Sequence, residues 1–359
     1  MTAVRRVGVL TGGGDAPGLN AVIRAVVKAG ANNGIECVGV EDGFDGLVGP
    51  RHLRPLRPCD VTGILRRGGT ILGTTTHSPF AHPLPGSTTT AEWSDRVMTT
   101  FREAGLDALV VVGGDGTLAI AHEFSRRGLP LVCVPKTIDN DIAGTASSFG
   151  FDSAVAFATD AIDRLHTTAE AHKRVLVVEV MGRYSGWIAL HAGVAGGADA
   201  VLIPEIPFDL SKVCMRIRDR DQWGAKFSIV VVAEGALAIG GERFTVEKAQ
   251  EGQPERLGGI GAWVAKGIAA RTGKETRTVV LGHLQRGGSP TTVDRLLATR
   301  YGCKAVELLQ AGQFGTMVAW EPPEIVRRQL CDVVGKIKAV PLDAELIRTA
   351  RSLGMTFGD

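Results

Sequence analysis

The feature that most constrains this chain is a unit that recurs along it: a run of β-branched and other apolar residues, a turn rich in glycine or acidic residues, then a helical pattern. Val7–Leu10 passes through TGGGDAPG into Leu19–Ala29, Ala108–Val112 through GGDGT into Leu118–Ser125, and Leu131–Val134 through PKTIDND toward Asp152–Glu170. In the last of these Val155, Ala158, Ile162, Leu165 and Ala169 recur at steps of three and four, the stripe of a helix lying on a sheet. Further strands are expected at Arg174–Val180, Ala200–Ile203, Phe227–Ala233 and Arg277–Leu281. Strands this apolar, alternating with helices, imply right-handed βαβ connections and a mainly parallel sheet covered on both faces, an α/β fold. Ligands of such sheets sit at the carboxyl ends of the strands. The charged loops that carry the motifs each follow a strand, so these loops are expected to converge on one cleft.

The 359 residues suffice for one large or, more in keeping with the pattern, two medium domains, each with its own core. A hydrophobic content of 44%, a charged content of 22% and 47 glycines describe a globular protein rich in tight turns. The formal net charge of +2 supplies no global field for nucleic acid or an anionic membrane, and the basic run Arg51–Arg57 reads as solvated loop surface. Apolar stretches are only strand-length and no leader pattern opens the chain, so a cytoplasmic protein without nucleic-acid or membrane partners is expected. Six cysteines lie far apart without a C-x-x-C pair and read as reduced, structural thiols. Ala81–Ala91 resembles a flexible excursion, and Gly240–Gly259 reads as a surface loop.

Four loops carry chemistry. TGGGDAPG lets backbone N–H groups approach an anion at a helix N-terminus, although it is neither the dinucleotide fingerprint nor a P-loop and by itself is as well read as a tight turn. GGDGT places Asp115 among glycines, where a carboxylate suits Mg²⁺ bridging phosphate oxygens; the bland reading is an Asp capping a helix that begins near Leu118. In an extended PKTIDND segment Thr137, Asp139 and Asp141 line one edge while Ile138 and Asn140 turn away, which provides a general base and a metal or hydroxyl anchor beside Lys136. An Asx turn with caps would also explain the three polar groups, but not Lys136. EVMGRYSGW and TVVLGHLQRGGSP put Arg183, His283 and Arg286 after strands, where guanidinium forks suit a sugar phosphate.

Taken in order, GGGDAPGLNAVIR, GGDGT, PKTIDND, FGFDSAV, VEVMGR, VVAEG and LGHLQRGGSP closely resemble the bacterial 6-phosphofructokinase family over about Val7 to Val340. The resemblance implies two similar Rossmann-like, three-layer domains with the active site in the cleft between them. It assigns residues 1–150 plus about 285–335 to a phosphoryl-donor domain and 151–284 plus about 336–359 to a sugar-phosphate domain. The implied reaction moves the terminal phosphoryl group of ATP, with Mg²⁺, to the 1-hydroxyl of fructose 6-phosphate. Asp139 is then the base, with Thr137, Lys136 and Arg183 as its catalytic neighbours. Gly13, Asp115, Gly116 and Thr117 bind the donor, and Asp115 and Asp141 the metal. Arg174, Met181, Gly182, Arg183, Glu234, Arg277, His283 and Arg286 bind the sugar phosphate. Arg174 and Arg277 match arginines that reach into a neighbouring subunit, which implies a homo-oligomer, dimer or tetramer, with shared sites.

Gly116 matches the ATP users of that family and Lys136 its pyrophosphate users, so the chain resembles a mixed group in which this pairing goes with ATP. GGTILGTTTHSP departs from the family pattern by placing Thr76 where an arginine usually contacts the transferred phosphate, with Lys136, Arg66 or His77 as its replacements. Pyrophosphate as donor, an acceptor such as sedoheptulose 7-phosphate or a sugar-like unit of specialised metabolism, and a non-catalytic sugar-phosphate sensor are the alternatives. Diacylglycerol- and NAD-kinase-like enzymes share GGDGT but lack PKTIDND and HLQRGG.

Overall fold

The computed structural model describes residues 4–49, 52–80, 90–241, 243–247 and 256–359. In chain order the first half contains β1 (Arg6–Thr11), α1 (Leu19–Asn32), β2 (Glu36–Val40), β3 (Leu53–Leu56), α2 (Thr90–Glu103), β4 (Ala108–Gly113), α3 (Asp115–Arg126), β5 (Leu131–Thr137), β6 (Phe149–Gly150) and α4 (Phe151–His172). There follow β7 (Val175–Val180), α5 (Trp187–Ala195), β8 (Ala200–Leu202), α6 (Leu210–Gln222), β9 (Ser228–Ala233), β10 (Thr245–Glu247), β11 (Arg256–Leu257), α7 (Ile260–Thr272) and β12 (Thr276–Val280). The last elements are α8 (Thr292–Gln310), β13 (Thr316–Glu321), β14 (Glu324–Gln329), α9 (Leu330–Val333) and α10 (Glu345–Ser352). The chain forms two compact units, Met1–Ile138 with Ile142–Ser153 and Arg286–Lys336, and Asp139–Asp141 with Ala154–Gln285 and Ile337–Asp359.

In the first unit an eight-stranded sheet runs β14-β13-β5-β4-β1-β2-β3, with β6 beside the end of β5. The inner pairs are parallel, and the edge strands β3 and β14 are antiparallel to their neighbours. Both faces are buried, and the two-residue period of a strand sorts the side chains. Val7, Val9, Val110, Val132 and Val134 join α1 and α8 on one face, while Leu10, Leu109, Val111, Leu131 and Cys133 join α2 and α3 on the other. Each such fully buried valine or leucine contributes about 1.5–3 kcal/mol. On the first face α1 and α8 meet at Gly302, where a Cβ would lie 2.9 Å from the Val22 carbonyl oxygen.

The second unit holds a four-stranded, wholly parallel sheet in the order β12-β7-β9-β8. Val175, Val177, Val230 and Val232 pack against Val213 and Ile217 of α6 and Val264 and Ile268 of α7. Helix α7 begins over Glu179 of β7, whose buried carboxylate accepts from the Gly261 amide at 2.7 Å, the orphan-donor problem of a helix start solved by a strand side chain. On α4 the expected stripe is present: Ala158, Ile162 and Ala169 are buried, Val155 and Leu165 half-buried.

Several expectations are corrected. Asp115 is the first residue of α3, with Gly114 as the N-cap and no side-chain cap bond, so the helix starts three residues before Leu118 and Asp115 is not a cap. Strand β5 continues through Lys136 and Thr137 instead of ending at Val134. Beyond it Asn140 adopts a left-handed conformation, φ 53°, so PKTIDND is not one extended segment, although Thr137, Asp139 and Asp141 are half-buried and Ile138 and Asn140 buried in alternation. Gly240–Gly259 contains the antiparallel pair β10–β11 and is not simply a loop. Strands β13 and β14 are additions. Of Ala81–Ala91 the first nine residues lie outside the described residues and the last two open α2; Arg51 also lies outside them.

Helices α4 and α8 are joined at their starts by a buried carboxylate. Asp294, 1% exposed, accepts from the amide and hydroxyl of Ser153 at 2.8 and 2.6 Å, and Thr291 caps α8 while donating to Asp152. Burial pushes the Asp294 carboxyl up to about 6 from 3.8, against those donors. A raised folded-state value means that the folded state binds this proton more tightly. The contribution is therefore fully present below pH 3.8 and lost as pH rises through about 6. Chemical denaturation at pH 5 and pH 8 should show Asp294→Asn gaining roughly 1 kcal/mol relative to the parent over that interval; a pH-independent difference would count against the assignment.

Candidate active site

The carboxyl ends of β1 and β4 are neighbours in the first sheet, with Thr11 in register with Val112 and Gly113 with Pro135 of β5. The chain leaves β1 toward β2 on one side and β4 toward β5 on the other, so the loops after β1 and β4 flank the point where the strand order turns, a common ligand position in open α/β sheets. The Gly12 amide donates to Val112 O at 2.9 Å and the Gly13 amide to Thr75 O at 2.8 Å. Gly13 needs its left-handed φ of 76° for this turn, and a Cβ at Gly113 would lie 2.3 Å from the Thr117 side chain. The second glycine loop runs straight into α3, whose first amides have no partner within the helix and no side-chain cap, the kind of donors an anion takes at a helix start.

Two cations are fastened to the first glycine loop. Lys136, 3% exposed, donates through Nζ to the Gly14 carbonyl, and a Cβ at Gly13 would lie 3.5 Å from that ammonium. Arg286 Nη1 donates to Asp15 O at 3.1 Å, and a Cβ at Gly14 would lie 2.9 Å from the same nitrogen. Arg286, expected among the sugar-phosphate residues, thus lies in the first unit on the first glycine loop. A buried ammonium costs several kcal/mol unless partners offset it. Its placement beside N–H-rich glycines suits a phosphate chain. A Cβ at Gly116 would meet no other part of the chain within 4 Å, so this turn of α3 faces open space.

Asp115 is exposed in the first turn of α3. Among the described residues no group of three or more His, Cys, Asp or Glu side chains is arranged to hold a metal by itself. One carboxylate beside orphan amides fits Mg²⁺ whose remaining ligands are phosphate oxygens and water. Thr76 is exposed one residue beyond Thr75, while His77 Nδ1 lies 3.1 Å from Asp45 Oδ2 and Arg66 ends a short 3₁₀ turn whose carbonyl accepts from Ser289 Oγ at 2.7 Å.

In the second unit three adjacent strand ends carry Met181, Gly182, Arg183, Glu234 and His283, whereas Arg174 and Arg277 lie at the opposite end, where β7 and β12 begin. The Glu234 amide donates to Val180 O at 2.9 Å, the Gly235 amide to Gly182 O at 3.1 Å and the Leu281 amide to Glu179 O at 3.0 Å, which gathers Met181–Arg183, Glu234 and His283 at one end of the sheet. Gly182 is required by its φ of 137°. Arg183 lies 5.9 Å and Arg243 4.9 Å from the Tyr184 ring centroid. Arg174 and Arg277 share one carboxylate, Glu275, at 2.9 and 2.6 Å, and the Arg174 guanidinium first, then Arg277, holds that carboxyl below its ordinary range. Asp139 O accepts from Ser185 Oγ at 3.1 Å.

Sequence reasoning missed Lys338. Its Nζ donates to Asn140 Oδ1 at 2.8 Å, and burial pulls its ammonium down to about 8, opposed by the charge of Asp141. It also missed Glu205, which accepts from the Val340 amide at 2.8 Å and the Gly186 amide at 3.0 Å and whose carboxyl burial pushes up. No local pattern marks either residue.

Residues 6–309 match the family profile described as Phosphofructokinase. The ATP-dependent 6-phosphofructokinase of Chloroflexus aurantiacus is 53% identical over 355 residues, covering 99% of this chain and 98% of that one. The pyrophosphate–fructose 6-phosphate 1-phosphotransferase of Amycolatopsis mediterranei is 51% identical over 343 residues, covering 94% and 97%. Among solved structures, phosphofructokinase from Saccharomyces cerevisiae superimposes with a TM-score of 0.80 at 31% identity over 91% of this chain, which spans only 45% of the yeast chain.

Lys136→Met keeps the length of the side chain and deletes its charge. Isothermal titration calorimetry with pyrophosphate should show affinity falling by about tenfold or more, as expected for a lost charge-assisted contact, with the fold retained by circular dichroism. Unchanged affinity would remove Lys136 from the anion site.

Proposed function

The chain belongs to the phosphofructokinase family, and on that premise we propose that it transfers the terminal phosphoryl group of ATP to the 1-hydroxyl of fructose 6-phosphate, giving fructose 1,6-bisphosphate and ADP. The observation that carries the choice of donor is the open space at Gly116, at the start of a helix that offers free amides to phosphate. The 53% identity to the Chloroflexus enzyme over nearly the full length supports the same donor. The anchoring of Lys136 on Gly14, together with the Amycolatopsis relative, favours pyrophosphate as a second reading.

In this reading Asp139 accepts the proton of the 1-hydroxyl as its oxygen bonds to the terminal phosphorus, and the bond from that phosphorus to the bridging oxygen breaks, leaving its electron pair on ADP. Thr137 orients the acceptor, and Lys136 stabilises the charge on the moving group, the part that an arginine in place of Thr76 would otherwise share. Glycine-loop and α3 amides hold the donor. Arg183, Glu234, His283 and Met181–Gly182 hold the sugar phosphate, with Arg174 and Arg277 acting across a homo-oligomer. Asp115 and Asp141 are the carboxylates proposed to hold a divalent metal, Mg²⁺, which would supply neutralisation of phosphate charge. A cytoplasmic location belongs to this proposal on the strength of the family; no helix among the described residues is long and apolar enough to cross a membrane.

A coupled assay of ATP, GTP, ADP and pyrophosphate against phosphorylated ketoses tests this directly. Turnover should be greatest with ATP and fructose 6-phosphate; sugar-phosphate binding without turnover by any donor would mean a sensor instead. Asp139→Asn should reduce kcat by about 10²- to 10⁴-fold with ketose binding largely kept, and normal turnover by that variant would refute its role as base. Gly116→Asp places a carboxylate in the open space and should suppress ATP-dependent turnover more than pyrophosphate-dependent turnover. Equal loss with both donors would count against the nucleotide running past this glycine.

A further inference from the structure

Three consecutive residues of the acidic loop are each held by an outside partner within the second unit. Asp139 O accepts from Ser185 Oγ at 3.1 Å, Asn140 Oδ1 from Lys338 Nζ at 2.8 Å, and Asp141 O from the Lys338 amide at 2.8 Å. Lys338 is itself fixed on the other side: Trp187 Nε1 donates to its carbonyl at 2.8 Å, its ammonium lies 5.7 Å from the Trp187 ring centroid, and Val340 is bonded to Glu205. Glu205 also accepts from the Gly186 amide that begins α5. A strap from near the C-terminus therefore joins the acidic loop to the start of α5.

Asn140 is 4% exposed and left-handed at φ 53°, a conformation that asparagine tolerates better than most residues. Its side-chain anchor fixes the turn whose two neighbours are Asp139 and Asp141. Asp141 also lies within Coulombic reach of the Lys338 ammonium, so one side chain restrains the loop by geometry and by charge.

We infer that Lys338 is a positioning residue for phosphoryl transfer: it locks Asn140 and so fixes the backbone that carries Asp139 and Asp141. The inference rests on Asp139 being the base. A misplacement on the order of 1 Å at a reacting group can cost about 100-fold in rate, whereas binding of substrates held elsewhere changes little.

A double-mutant cycle decides it, using the full chain, Lys338→Met, Asn140→Gly and the pair, with glycine chosen because it adopts the left-handed turn freely. Each single variant should lower kcat by about 10- to 100-fold, with KM for ketose and donor within about threefold of the parent, and the pair should be no slower than the slower single variant. A kcat for Lys338→Met near the parent's, or losses that multiply in the pair, would overturn the inference. Should Lys338→Met fail to fold, Asn140→Gly alone carries the test, its kcat loss supporting the contact and a parental kcat removing it. If the parent chain turns over no donor, the proposed function has failed independently. Amide hydrogen exchange over residues 138–142 then judges the positioning: faster exchange in Lys338→Met supports it, unchanged exchange overturns it.

Discussion

Parallel pairing of β1 with β4 and of β4 with β5 is the constraint from which the rest of the first unit follows. In-register parallel strands end at one level, so Gly12–Asp15, Gly114–Thr117 and Lys136 emerge side by side. Because both faces of the sheet are buried under helices, the polar termini of the strands are the places where polar side chains can work without breaking a core. Glycine is needed there because the loops touch one another and the Thr117 side chain: a Cβ at Gly12 would meet Thr117 at 2.8 Å.

The electrostatics of that loop are deliberately lopsided. A buried ammonium and a guanidinium are both tied to backbone carbonyls of residues 14 and 15, leaving the amides of α3 and the exposed carboxylate of Asp115 to meet a ligand. In the proposed reading such a surface takes a polyphosphate accompanied by a divalent cation in preference to a bare anion, since the carboxylate repels the one and recruits the other. In the second unit Arg174 and Arg277, where β7 and β12 begin, are balanced by the one carboxylate of Glu275.

Much of the fold was legible because strand and helix periods are local properties. The runs ending at Leu10, Val112 and Val180 appear as strands to within a residue or two of their expected ends. Boundaries moved where polar residues continue a strand, as Lys136 and Thr137 do in β5, since backbone pairing with β6 outweighs side-chain polarity there. The glycine-loop side of the site was legible through GGGD and GGDG, whose spacing encodes close backbone approach.

By itself the sequence determined the alternation of strand, turn and helix, and with it that charged loops would gather at strand ends, since hydrophobic periodicity and glycine content act over a few residues. Only the tertiary structure decided which distant side chains brace those loops. Arg286 reaches Asp15 across 271 positions, and Lys338 reaches Asn140 across 198. Such partners are selected by the path of the folded backbone and by the need to satisfy buried polar atoms, neither of which leaves a periodic trace in the chain.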